Sequence, residues 1–200
     1  MQLTHRQNKF KQREDLIFTV AEQLLIEHGD VGMTLEELAQ ELNIAKGTLY
    51  KHFHSKDELF LQLILRNEYL IYESMKNSPS HFDAQLNCLI HYHLDDAERT
   101  ILYHNLEEKL STIGGGNKQL FRKIYHIRKQ RLKKIIYTTD VYLRQQHSKI
   151  TVRDYLAIAW SLIFGGALLL NSSFYQRYLG SRETLKMSYF KQALEIANKK

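Results

Sequence analysis

Two helix starts are written into the N-terminal third of this chain, and the segment between them constrains the fold more than any other feature. Thr34-Leu-Glu-Glu37 and Ser55-Lys-Asp-Glu58 are both capping boxes. In each, the hydroxyl can accept from the amide three residues on, while the glutamate can reach back to the cap residue's own amide. The first box opens a short helix running to about Leu42, Asn43-Ile44 makes a turn, and Ala45 to Phe53 fits a second short helix. Two helices crossing steeply need a small residue at the crossing, a turn residue tolerant of positive φ and an aliphatic residue facing inward from the second helix. Ala39, Asn43 and Leu49 stand at those places, and Met33 and Leu38 are placed as a hydrophobic staple.

The flanks agree. Leu16/Ile17, Val20/Ala21 and Leu24/Leu25 recur at helical spacing and the pattern stops at Gly29, a residue suited to a C-cap. After Ser55, Leu59, Leu63, Ile64, Leu70 and Ile71 supply the apolar face of a longer helix. Asn77-Ser-Pro-Ser80 clusters turn formers around the only proline in the chain and marks a domain boundary. Beyond it the periodicity predicts helices at about 82–94, 97–112, 118–146, 152–178 and 182–198, with Gly114-Gly-Gly-Asn117 separating the second from the third. One proline and nine glycines in 200 residues, 44% of them hydrophobic, leave few strand-and-turn signals, so the fold class expected is all-α.

Thr34-Leu-Glu-Glu-Leu-Ala39 followed by Asn43-Ile-Ala-Lys-Gly-Thr-Leu-Tyr-Lys-His-Phe-His-Ser-Lys-Asp-Glu-Leu59 resembles the DNA-binding segment of TetR-family transcriptional regulators. The resemblance covers about residues 10–60. It implies a helix-turn-helix DNA-binding domain over 1–56, a linking helix over about 56–76, and a helical-bundle domain over 80–200 that dimerises and binds a small-molecule effector. Residue by residue, Lys46, Thr48 and Tyr50 resemble exposed recognition-helix positions that meet base edges or phosphates, and Gly47 permits close backbone approach. Thr34, His52 and Lys56 resemble phosphate contacts, and a helix N-terminus entering the major groove places its first turn nearest the bases. Leu49 and Phe53 should face the core, whereas packing against the first helix is the alternative for Tyr50 and His52. The chain departs from the family at Ala45, where a capping serine is frequent, and at Asn43, where glycine is. The resemblance further implies a homodimer on a double-stranded, pseudo-palindromic DNA operator, released by the effector, with an activator of the same fold as the alternative.

Charge argues for none of this. The net charge is +6, yet residues 1–80 hold 9 Lys/Arg against 12 Asp/Glu, or −3, and the excess falls at Lys118, Arg122, Lys123, Arg128, Lys129, Arg131, Lys133 and Lys134. That basic run reads as the solvated face of an amphipathic helix. Arg6, Lys9, Lys11 and Arg13 could form a basic arm touching phosphate or the minor groove, with disorder in free solution equally expected. The lone Cys88 permits no internal disulfide. No signal-like apolar core opens the sequence, and the run Ala157–Leu170 is short for a bilayer, so a cytoplasmic location is expected.

Trp160-Ser-Leu-Ile-Phe-Gly-Gly-Ala-Leu-Leu-Leu170 is apolar nearly all round and must be buried on most of its surface. Gly165 and Gly166 within it suggest close helix approach across a two-fold axis, or else a local kink. His91-Tyr-His93 and His104-Asn-Leu-Glu107-Glu108 raise a helical metal enzyme as a rival, but no Glu-x-x-His pair, His-Glu-x-x-His, Gly-x-Ser-x-Gly or Gly-x-x-x-x-Gly-Lys occurs. No catalytic residue, cofactor or metal ligand is assigned, and the ligand-binding residues stay open.

Overall fold

The computed structural model describes residues 4–113, 117–178 and 180–197, and among them finds helices and turns but no strand. The helices are α1 (His5–Gly32), α2 (Leu35–Glu41), α3 (Lys46–Leu49), α4 (Lys56–Asn77), α5 (Phe82–Asp95), α6 (Ala97–Ile113), α7 (Lys118–Gln145), α8 (Val152–Asn171), α9 (Ser173–Tyr178) and α10 (Arg182–Ile196). The Gly114–Gly116 break lies outside the described residues. Asn117 beside it caps α7, its side-chain oxygen accepting from the amides of Gln119 at 3.1 Å and Leu120 at 3.3 Å.

The chain divides into two compact units. One comprises the described residues up to Leu65 with those of Asn105–Phe121, and the other Arg66–His104 with Arg122 onward. A boundary at residues 77–80 therefore separates helices α4 and α5, whereas the compact units part within α4 and again within α6. An amphipathic helix that leaves one core and enters another carries no break in its pattern, which is why turn chemistry alone pointed elsewhere.

In the first unit, Ile17, Ala21 and Leu25 of α1, Leu38 and Ala39 of α2, Leu49 and Phe53, and Leu59 and Leu63 of α4 form the buried set. The Phe18 and Phe53 rings meet edge-on at 5.5 Å. Helix α1 is longer at both ends than the apolar pattern. Thr4 and Gln7 form a capping box that starts the helix at His5, so the basic arm is helical. At the other end, Gly29 takes φ 70° and breaks the helical backbone where the apolar pattern stops, and a further turn runs on to Gly32.

In the second unit, α5, α8 and α10 pack on one another around Leu86, Ile90, Leu94, Tyr155, Ala159, Ile163, Ala167, Leu170 and Ala193. The Tyr155 hydroxyl, fully buried, donates to the Ala193 carbonyl at 2.7 Å. The stretch expected as one helix over 152–178 breaks at Ser172 into α8 and α9. By length and composition α8 is able to cross a membrane, although Arg153 and Asp154 lie in its first turn; here its inner face is core. Gly166 has an intrachain reason: a Cβ there would stand 2.8 Å from the Tyr189 ring of α10 and 3.3 Å from Leu94 Cδ2 of α5. A Cβ at Gly165 would meet nothing within 4 Å.

Candidate functional site

The turn between α2 and α3 is a Schellman closure. Asn43 adopts φ 49°, its amide donates to Gln40 O at 2.9 Å, and the Ile44 amide donates to Ala39 O at 3.0 Å. Asparagine is tolerated there because its short polar side chain suits the left-handed region better than most side chains do. The Thr34 capping box is complete: Glu37 N donates to Thr34 Oγ1 at 3.1 Å and Thr34 N to Glu37 Oε2 at 3.4 Å. Met33 and Leu38 are both fully buried. The second box is only half formed. Ser55 Oγ accepts from Glu58 N at 3.1 Å, but the Glu58 carboxylate passes the serine and takes the His54 amide at 3.0 Å and the His54 ring at 2.9 Å.

Helix α3 is shorter than the span Ala45–Phe53 suggested. Ala45 has the extended backbone of an N-cap but no side chain that can cap. After Leu49 the turn tightens: Lys51 N donates to Thr48 O and His52 N to Leu49 O, both three residues back. Leu49 and Phe53, each 1% exposed, anchor this segment to the core. Lys46, Gly47 and Tyr50 are exposed and Thr48 is half-buried. Lys46 pairs with Glu36 and lies 5.9 Å from the Tyr50 ring centre. An exposed ion pair contributes about 0–1 kcal/mol, so Lys46 is easily surrendered to another anion. A Cβ on Gly47 would meet nothing within 4 Å, so nothing inside the chain requires glycine there.

The three flanking positions are placed differently. Thr34 uses its hydroxyl oxygen as a cap, which leaves the O–H able to donate outward. Lys56 Nζ donates to the Met33 carbonyl at 2.6 Å and sits 5.5 Å from the Phe60 ring centre, tying the start of α4 to the entry of α2. His52 turns inward: it is 8% exposed and stacks on Phe10 of α1 with ring centres 4.0 Å apart. Burial, then Arg13, lowers its pKa below the ordinary histidine value. Of the two roles open to His52 in the sequence, its geometry is that of packing against the first helix.

The second unit holds a cavity of about 430 Å³ among α5, α7 and α8, inside the ~300–1,000 Å³ range of small-molecule sites. Its wall is mostly apolar, with Leu86, Leu89, Ile135 and Ile163 among the lining residues, and Gln85, His93 and Thr139 as buried polar ones. Two lining cations of α7 are committed to Glu68 of α4, whose side chain is 5% exposed. Arg128 reaches Glu68 Oε1 at 2.7 and 2.8 Å, and Arg131 stands 3.2 Å from Oε2 as an ion pair. Lys134 caps the Met75 carbonyl at 2.7 Å, so the inner edge of the basic run clamps α4 while Lys118, Arg122, Lys123, Lys129 and Lys133 stay exposed. Sequence reasoning named none of the cavity residues as ligand contacts. The one available signal was Gln85 and His93 on a shared face of α5, and it is weak without knowing what faces it. His91 instead meets Asp95 at 3.4 Å, and no group of three His, Cys, Asp or Glu gathers in metal-binding fashion among the described residues.

Helices α1, α2 and α3, the last presented through a Schellman turn, form a helix-turn-helix arrangement in the first unit, and the second unit encloses a cavity. Residues 17–63 match the family model of bacterial regulatory proteins, tetR family. The chain is 27% identical over 192 residues, 92% of this chain and 97% of the relative, to the biofilm operon icaADBC HTH-type negative transcriptional regulator IcaR of Staphylococcus aureus strain Newman. The fold matches a tetR-family regulatory protein from Rhodococcus RHA1 with a TM-score of 0.72 at 14% identity, covering 92% of this chain and 96% of that one. It also matches the regulator FadR from Bacillus subtilis in complex with stearoyl-CoA, with a TM-score of 0.62 at 19% identity, covering 90% and 97%.

Proposed function

We propose that this protein is a sequence-specific transcriptional repressor that binds a pseudo-palindromic operator as a homodimer and is released by a small molecule held in its helical domain. The observation that carries the reading is the surface of α3: Lys46, Gly47 and Tyr50 exposed together on a helix whose opposite side, Leu49, is sealed into the core. IcaR, matched over 97% of its length, is a negative transcriptional regulator, which favours repression over activation. Lys46, Thr48 and Tyr50 contact base edges or adjacent phosphates, the open space at Gly47 receives the DNA backbone or a base edge, and Thr34 and Lys56 border the phosphates. Affinity then depends on a few directed contacts more than on net attraction, because the segment is acidic overall.

The test is to recover the genomic sites the protein occupies and titrate one of them in a gel shift at fixed salt. Tyr50→Ala and Lys46→Ala should each weaken binding by about 1–3 kcal/mol, roughly 5- to 150-fold, with helical content and oligomeric state unchanged. Unaltered operator affinity in both variants refutes the interface.

A further inference from the structure

The cavity's interior hydrogen-bonding groups have definite polarity. His93 Nδ1 lies 3.2 Å from Thr100 Oγ1, and that hydroxyl donates its own hydrogen to the His93 carbonyl at 2.9 Å. Thr100 Oγ1 therefore accepts from the ring, the imidazole proton sits on Nδ1, and Nε2 carries a lone pair. Nε2 is fully buried and meets no partner among the described residues. Burial, with Arg131 and Arg99 nearby, holds the ring neutral by lowering its pKa to about 3. Gln85 is polarised the same way. Its amide nitrogen faces the carbonyls of Met75, Ser78 and Pro79 at 3.0, 3.3 and 2.7 Å, so the group is oriented with Oε1 as the end left over, and Oε1 too is buried without a partner. Both residues line the cavity. The wall thus offers two acceptors from α5 within apolar surroundings, while Arg128 and Arg131 face Glu68 and Lys129 is exposed to solvent.

We propose that this cavity selects largely apolar molecules carrying a hydroxyl or another uncharged hydrogen-bond donor, received by His93 Nε2 and Gln85 Oε1, and discriminates against carboxylates. A carboxylate would bring further lone pairs against two acceptors, and Lys129, the lining cation not paired with Glu68, is exposed to solvent and gives little in exchange for the lost hydration. A donor satisfies buried acceptors that are otherwise costly to leave unmade. Thr139, fully buried and also lining the cavity, can serve either as donor or acceptor and adds a second point of orientation. This assignment rests on the cavity being the effector site.

The chain's single tryptophan, Trp160, lines the cavity and its ring meets His93 edge-on at 5.2 Å, so its emission reports occupancy. The full-length protein would be titrated with 1-pyrenemethanol, its methyl ether and 1-pyrenecarboxylate, following energy transfer from Trp160. The alcohol should bind about tenfold or more tightly than the ether or the carboxylate. In His93→Phe, which keeps a ring against Trp160, the alcohol should fall to the ether's affinity while the ether's own affinity holds. Circular dichroism establishes that this variant folds; if it does not, His93→Met is read in its place. Equal affinity for all three probes, or a preference for the carboxylate, overturns the donor selection and leaves the effector site standing. Failure of every probe to quench Trp160 overturns both.

Discussion

Glu68→Gln separates what this carboxylate does for stability from what it does for the cavity. The side chain is 5% exposed and is the shared counter-ion of Arg128 and Arg131. Removing one member of a buried ion pair costs about 3–5 kcal/mol, because the remaining charge is left in a poor solvent. Arg128 is 37% exposed and can swing toward water, which places the expected loss near the lower end, about 3 kcal/mol. For a chain of this size that corresponds to a fall of roughly 6–12 °C in Tm. Glu73→Gln is the matched control on the same helix: its pair with Lys76 is exposed, 51% and 61% on the two sides, and its loss should cost about 0–1 kcal/mol. The second consequence concerns ligands. Without Glu68 the two arginines lining the cavity lose their counter-charge, and 1-pyrenecarboxylate should gain about tenfold in affinity relative to 1-pyrenemethanol, the scale of one charge-assisted hydrogen bond. Thermal unfolding and the Trp160 titration read the two effects separately. If Glu68→Gln unfolds within 2 °C of Glu73→Gln, in contrast to the difference expected from burial, the buried cluster is not the constraint described here.

Gly47→Ala should stabilise the free protein by up to about 1 kcal/mol, since helix propensity favours alanine and the new methyl meets no neighbour in the chain. The same variant should bind operator at least about tenfold more weakly if DNA occupies that space; stability is read by thermal unfolding and binding by gel shift, and undiminished affinity would show that the space stays empty on DNA. In the second unit, Gly166→Ala and Gly165→Ala should differ in sign. Both gain about 1 kcal/mol of helix propensity, but only Gly166→Ala drives a methyl against Tyr189 and Leu94, at an overpacking cost of about 1–3 kcal/mol. A Tm for Gly166→Ala equal to or above that of Gly165→Ala would refute the close approach of α8 to α10.

What the sequence made legible follows the range over which each signal acts. Caps and turns are local, and Thr34, Asn43 and Ser55 were readable because each residue's own chemistry satisfies amides within a few positions of it. Even so, Glu58 went to His54 rather than to Ser55, since an imidazole and an amide together outcompete one amide for the same carboxylate. His52 was ambiguous because its fate depends on Phe10, far away in the chain and outside the apolar pattern of α1. The acceptors at Gln85 and His93 were invisible for a stronger reason. Their meaning depends on hydrogens, and hydrogens are assigned by partners: Thr100 for one ring, three loop carbonyls for the amide.

Helix α8 carries the remaining lesson, since its apolar residues run all round and a single core accounts for only part of them. Tyr155, Ala159, Ile163, Ala167 and Leu170 face inward, while Ile158, Trp160 and Leu168 are 40%, 47% and 50% exposed. Trp160 has a use at the cavity; Ile158 and Leu168 have none within the protomer. A helix exposing large aliphatic side chains outside the core gains by covering them with a second copy. Gly166 thus serves packing inside the chain, whereas Gly165 has no neighbour there. Leu168→Asp should then convert the dimer to monomer in analytical ultracentrifugation without unfolding it, and a variant that still dimerises at micromolar concentration would place the two-fold axis on another surface.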